Sequence, residues 1–195
     1  LSKSDEALHG GNFHGQPVAT AMDMLSISLT TVGNISERRT ARLLDNALNE
    51  GLPLFLVRGK EGVRMGLMGT QYTATSLAAE NRTLAYPASI QSLPTNANNQ
   101  DIVSMGTIAA RNALKILRNV ECILAIEMIS AAQAIDLRGP EKLGKGTMKA
   151  YQMIRRILPP IVEDRETYVD IEKVIEMLRN RELVSAVEGS IGEMN

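Results

Sequence analysis

Apolar positions recur at spacings of three and four along most of the chain. Stretches of glycine, proline and amide residues break the pattern. Met22, Leu25, Leu29 and Val32 keep helical spacing behind Pro17, so a helix is expected from about Pro17 to Leu44 with that stripe buried. Gly33-Asn34 falls inside it and is expected to bend or break it. A second helix fits Gly69 to Ala85, stopped by Pro87. The third and longest is expected from Asp101 to Leu137, with Asn98 or Asn99 as its cap and Gly139 at its end. At 1.5 Å per residue it would span roughly 55 Å. That exceeds what a globule of this size needs, and its face is rich in alanine. Both features point to a bundle that extends across subunits. Shorter helices fit Thr147–Leu158 and Val169–Arg179, parted by Leu158-Pro159-Pro160.

Between these runs lie the loops. Asn49 to Gly66 reads as irregular, with "LFLV" as an extended piece. Pro87 to Asp101 carries prolines and a cluster of asparagines. The expected fold is all-α, a long-helix bundle with irregular loops. Residues 1–195 would form a single domain, with 1–139 as the bundle core and 140–195 as terminal helices.

Composition sharpens this picture. Apolar residues make up 44% of the 195 positions and aromatics only 3%, so the core must be built from Ala, Leu, Ile, Val and Met. Those residues suit close-packed helices. The formal net charge of −1 gives a polyanion no purchase, and nucleic-acid binding is not expected. No run of about 18 apolar residues suggests a membrane span. The lone Cys122 sits in an apolar run and reads as a buried thiol in a reducing cytoplasm.

The usual chemical signatures are missing. There is no CxxC, HExxH, GxSxG or GxxxxGK[ST]. His9 and His14 stand five apart among glycines and supply too few ligands for a metal. Two loops remain informative. "GGNFHGQP" allows close backbone approach and presents Phe13 as a flat apolar wall, flanked by Asn12 and His14. "TNANNQD" clusters Asn96, Asn98, Asn99 and Gln100 before Asp101. Amides donate and accept without carrying charge, which suits a zwitterionic ligand or a polar network; capping and turn formation explain the asparagines equally.

Five segments, "GGNFHGQPVA", "SERRTARLLD", "GLPLFLV", "QYTATSLAAENRTLAYPAS" and "TNANNQDIVSMG", occur in the order and spacing found in the carboxy-terminal half of aromatic amino-acid ammonia-lyases. The chain resembles that family, which includes histidine, phenylalanine and tyrosine ammonia-lyases and related 2,3-aminomutases. The resemblance runs to about Leu183 and is weakest after Gly139. It implies a mainly helical homotetramer whose active sites draw on more than one subunit. It also implies elimination of ammonia from an amino acid to give an α,β-unsaturated acid. The implied electrophile is a 4-methylidene-imidazole-5-one, formed from an internal Ala-Ser-Gly.

The resemblance implies that Phe13 packs beside the electrophile and the substrate, with Asn12 and His14 flanking it. Gln100 falls where histidine-specific members carry glutamate. A neutral amide pairs less strongly than a carboxylate with an imidazole or a charged amine. The expected substrate is therefore phenylalanine- or tyrosine-like, with histidine possible. Ala-Ser-Gly is absent from the sequence, so the electrophile and the catalytic residues are expected from an upstream part. Arg64 stands where many members have asparagine, and "MGLMG" leans toward the aminomutase branch. A helical oligomerisation module without chemistry of its own is the alternative from another class.

Overall fold

Helical spacing is realised along most of the chain. A computed structural model describes residues 7, 9–59 and 63–192. Among them it forms α1 (Gln16–Leu44), α2 (Met68–Leu84), α3 (Gly106–Arg138), α4 (Lys145–Ile157), α5 (Tyr168–Arg179) and α6 (Glu182–Ile191). α3 is the central rod and packs against α1, α2, α4 and α5. α1 runs parallel to it, since the two helices meet both near their starts, at Gly15 and Ser104, and near their ends, at Arg39 and Glu127. α2 returns antiparallel, with Thr75 bonded to Glu37 and Asn81 to Asn119. None of the described helices is long and apolar enough to cross a membrane.

The main core joins both halves of the chain. Leu44, Leu56 and Leu67 pack with Ile123, Ile126 and Ile129 of α3 and with Ile154, Leu158, Ile161, Ile171 and Val174. Each such side chain contributes about 1.5–3 kcal/mol by leaving water. Gln133 of α3 stitches this core to its neighbours. Its Nε2 donates to the carbonyls of Leu56 (3.0 Å) and Ile161 (2.8 Å), and its Oε1 accepts the Ile161 N–H at 2.9 Å.

α1 departs from the expected stripe. Its buried positions are Ala19, Asp23, Ser26, Thr30, Gly33, Ser36, Glu37, Thr40 and Leu44. Val18, Met24, Leu25, Ile27, Val32 and Ile35 face outward, and Met22 and Leu29 are only half-buried. Small and polar residues turn inward because α1 lies close to α2 and α3 and bonds to them. Thr75 donates to Glu37, Ser36 donates to Glu127 at 2.6 Å, and Arg39 grips the same Glu127. Glu37 is 2% exposed. The Arg38 guanidinium beside it and the Thr75 hydroxyl hold its carboxyl below the usual range against the effect of burial. Gly33 does not break the helix, which runs on from Gln16 to Leu44. A Cβ there would sit 3.1 Å from Val120 of α3, so this glycine sets the interhelical distance.

Three further differences have local causes. α3 begins at Gly106 instead of Asp101, because Asn96, Ala97 and Asn98 take left-handed backbone angles and close a turn in which Thr95 and Gln100 pair backbone to backbone. Asparagine tolerates that conformation, which a helix cannot use. "LFLV" is a tight 3-10 turn at Leu54–Leu56, with Phe55 and Leu56 also left-handed and the Phe55 carbonyl taken by Leu67 N–H at 3.1 Å. α6 was not expected; Leu183 carries it onto Met153 and Met177 in a satellite cluster.

The segment before α2 is clasped from the other end of the chain. Asp164 accepts the N–H groups of Met65 (2.9 Å) and Gly66 (2.8 Å), and Arg64 donates to the Val162 carbonyl at 2.9 Å. Arg64 thus binds the 162–164 segment.

Candidate active site

The starts of α1 and α3 lie side by side. A Cβ on Gly15 would come within 3.1 Å of Ser104 Oγ, so glycine permits this approach of the two loops. Neither helix has an acidic residue in its first turn, and neither N-cap residue makes a side-chain hydrogen bond. The positive ends of two helix dipoles therefore converge on the region where the Phe13 loop meets the amide loop. Such a place favours negative charge on a ligand.

Side chains bonded to backbone hold the loops there. His14 Nε2 donates to the Ile102 carbonyl at 3.1 Å, and its Nδ1 accepts the Gln16 N–H at 3.2 Å. Gln16 Nε2 reaches the Ser89 carbonyl at 3.3 Å. Ser92 Oγ accepts the Val103 N–H at 2.8 Å. Buried Asp23 accepts the N–H groups of Ala88 (3.2 Å) and Ser89 (2.8 Å), fixing the turn after α2. Burial would push its carboxyl up; hydrogen bonds from Ser89 and Ala88 outweigh that and hold it below the usual range. The apolar support is small, being Ala19, Ala88 and Ala109 with Met22 and Met105 against them. A cavity of about 640 Å³ opens here, lined by His14, Gln16, Ser89, Ser92, Asp101 and Ile102.

The four residues singled out from the sequence fall at this end. His14 lines the cavity. Phe13 is 88% exposed, with its ring in solvent in this chain. Asn12 takes a left-handed φ of 60° and is exposed. Gln100 is exposed and closes the amide turn through its backbone with Thr95. The two loops are thus tied by His14 and Ile102, while the Phe13 ring and the Gln100 amide do not line the cavity. Sequence reasoning missed Gln16, Ser89, Ser92 and Asp23. Only Asp23 left a signal, the one carboxylate of α1 before Glu37, at four- and three-residue spacing from Ala19 and Ser26. Elsewhere, Cys122 is half-buried, and burial pushes its thiol up, away from the reactive thiolate. No three His, Cys, Asp or Glu side chains cluster as a metal site among the described residues.

The sequence model of a family described as aromatic amino acid lyase matches residues 1–156. Histidine ammonia-lyase from Natranaerobius thermophilus is 50% identical over 192 residues, covering 98% of this chain and 38% of that protein. Tyrosine ammonia-lyase from Cupriavidus metallidurans is 50% identical over 186 residues, covering 95% of this chain and 35% of that protein. Among solved structures, tyrosine aminomutase from Streptomyces globisporus superposes with a TM-score of 0.90 at 45% identity, covering all of this chain and 37% of that one. The chain therefore spans less than two fifths of the length of these relatives.

Proposed function

Since the chain belongs to the aromatic amino acid lyase family, we propose that it forms the carboxy-terminal part of an ammonia-lyase. The enzyme would eliminate ammonia from an aromatic amino acid to give an α,β-unsaturated acid. The observation that carries this reading is the junction of the two loops at the starts of α1 and α3, through His14 and Ile102. There the chain offers an exposed aromatic ring, neutral hydrogen-bonding side chains and two positive helix ends. The converging helix ends suit the carboxylate of an amino acid. Gln100, a neutral amide, favours a phenylalanine- or tyrosine-like side chain over histidine.

The family's protein-derived 4-methylidene-imidazole-5-one would come from the upstream part, and the site fits its neighbourhood. Phe13 is free to stack on a planar group, and Gln16, Ser89 and Ser92 line the cavity with neutral groups beside the single carboxylate of Asp101. When bound, that group supplies the electrophile that turns the amine into a leaving group. This chain's own contribution is to hold the loops in register and to present Phe13 as a wall and Gln100 as a polar contact to the pocket that other polypeptide completes. The base that takes the β-proton comes from outside this chain.

The outward apolar side of α1 supports assembly into a homotetramer in which other subunits complete the site. One main core draws on residues from Leu44 to Val174, which supports reading the chain as a single helical domain. A reducing cytoplasm suits the lone thiol. The test is expression of this chain with its upstream part, followed by absorbance of the unsaturated acid from phenylalanine, tyrosine and histidine. No product from any of them removes the lyase reading. A second reading, an aminomutase, is favoured by the likeness to tyrosine aminomutase and by "MGLMG". A β-amino acid product would select it.

A further inference from the structure

His14 stands between the two loops, and both of its ring nitrogens are engaged. The Ile102 carbonyl can only accept a hydrogen bond, so Nε2, 3.1 Å away, must carry a proton. The Gln16 backbone N–H can only donate, so Nδ1, 3.2 Å away, must present a lone pair. One obligate acceptor and one obligate donor thus fix a single tautomer. In it, neither nitrogen is left to bind a substrate.

Among the described residues, the bond to Ile102 also has no local hydrogen-bonding substitute. The amide turn closes on itself through Thr95 and Gln100. Beyond that turn, the segment is fastened to the rest of the chain by Val103 N–H on Ser92 Oγ and by the Ile102 carbonyl on His14. Ser92 belongs to the loop after α2, so His14 alone of these anchors joins the amide segment to the Phe13 loop. Phe13 precedes it in sequence, and Gln100 lies two residues from Ile102.

We infer that His14 is a positioning residue that fixes the amide loop relative to the Phe13 loop through its Nε2–H, and that it does not contact substrate through its ring nitrogens. This rests on the reading of the site above. Its test is independent of turnover.

The experiment is hydrogen exchange on the substrate-free enzyme, with this chain joined to its upstream part, read in peptides covering residues 95–103. His14→Gln places an amide donor near the Nε2 position and keeps a bond to Ile102. His14→Asn places an acceptor near Nδ1, which preserves the local turn with Gln16 and loses the reach to Ile102. Exchange is expected to quicken about fivefold in His14→Asn and His14→Ala, the loss of one hydrogen bond, and to stay within about twofold of the parent in His14→Gln. Unchanged exchange in His14→Ala and His14→Asn overturns the inference. So does a His14→Gln variant as fast as His14→Asn, because the donor to Ile102 is then irrelevant. The Gln and Asn variants differ by one methylene, so their comparison stands even if His14→Ala folds poorly. In turnover, His14→Gln should recover the kcat lost in His14→Asn. Absence of any product in the parent would count against the lyase reading and leave the exchange result intact.

Discussion

The two ends of the α1–α3 pair are built on different physics. Around the second half of α3, large side chains from five helices and loops close a continuous core, and Gln133 bonds the backbone of Leu56 and Ile161 within it. Around the helix starts, the apolar support is three alanines, and order comes from His14, Gln16, Asp23 and Ser92 bonded to backbone. Hydrophobic contact is strong and tolerant of direction; a hydrogen bond is weaker and fixes geometry. The first end secures the fold. The second sets the placement of loops that other polypeptide is proposed to complete.

That contrast can be broken by mutation, and the greatest effect belongs to the core end. Ile126→Asp places an unpaired charge among residues that exclude water, since Ile126 is 1% exposed. It should cost more than about 4 kcal/mol and abolish a cooperative melting transition. Gln133→Leu is next. It strands the Ile161 N–H and the carbonyls of Leu56 and Ile161, for a loss of about 2–3 kcal/mol in denaturant titration. Asp23→Ala, at the loop end, should cost about 1–3 kcal/mol by orphaning the N–H groups of Ala88 and Ser89. Its turnover should fall further than its stability, read as kcat against Tm. If Tm alone moves, the polar scaffold holds no functional geometry.

Phe13→Ala should leave stability within about 0.5 kcal/mol, because the ring buries almost nothing in this chain, and reduce kcat at least tenfold. A large loss of stability would make Phe13 part of an interface instead of a pocket wall. The smallest effect is a titration at Asp164. The N–H groups of Met65 and Gly66 hold its carboxyl below the usual range. A lowered folded-state value means that the clasp contributes fully above the ordinary carboxylate pKa of about 3.9 and is lost as pH falls through the lowered one. Amide resonances of Met65 and Gly66 should titrate with a midpoint below that ordinary value, and Asp164→Asn should remove the titration.

Helix existence was legible in the sequence because apolar spacing and glycine or proline stops are local signals. α2 and the ends of α1 and α3 fall within a residue or two of expectation. The start of α3 was not legible, since asparagines cap helices and form left-handed turns with equal ease, and Thr95–Gln100 pairing decided between them. The facing of α1 was hidden for another reason. Periodicity reports a stripe without saying what covers it, and here serines, threonines and Glu37 meet their partners only once α2 and α3 are in place. At the candidate site, Phe13, His14 and Gln100 were named from motifs. Gln16, Ser89 and Ser92 were invisible because backbone carbonyls and N–H groups are their partners, and these leave no mark in a sequence.

The outward ridge of Val18, Leu25, Val32 and Ile35 on α1 has a consequence for the life of the polypeptide. Until another surface covers it, each newly made copy offers water a greasy strip along one of its longest rods. With assembly as proposed, dilution would lower the melting temperature. Substitutions on that visible face would then be as poorly tolerated as those in an interior.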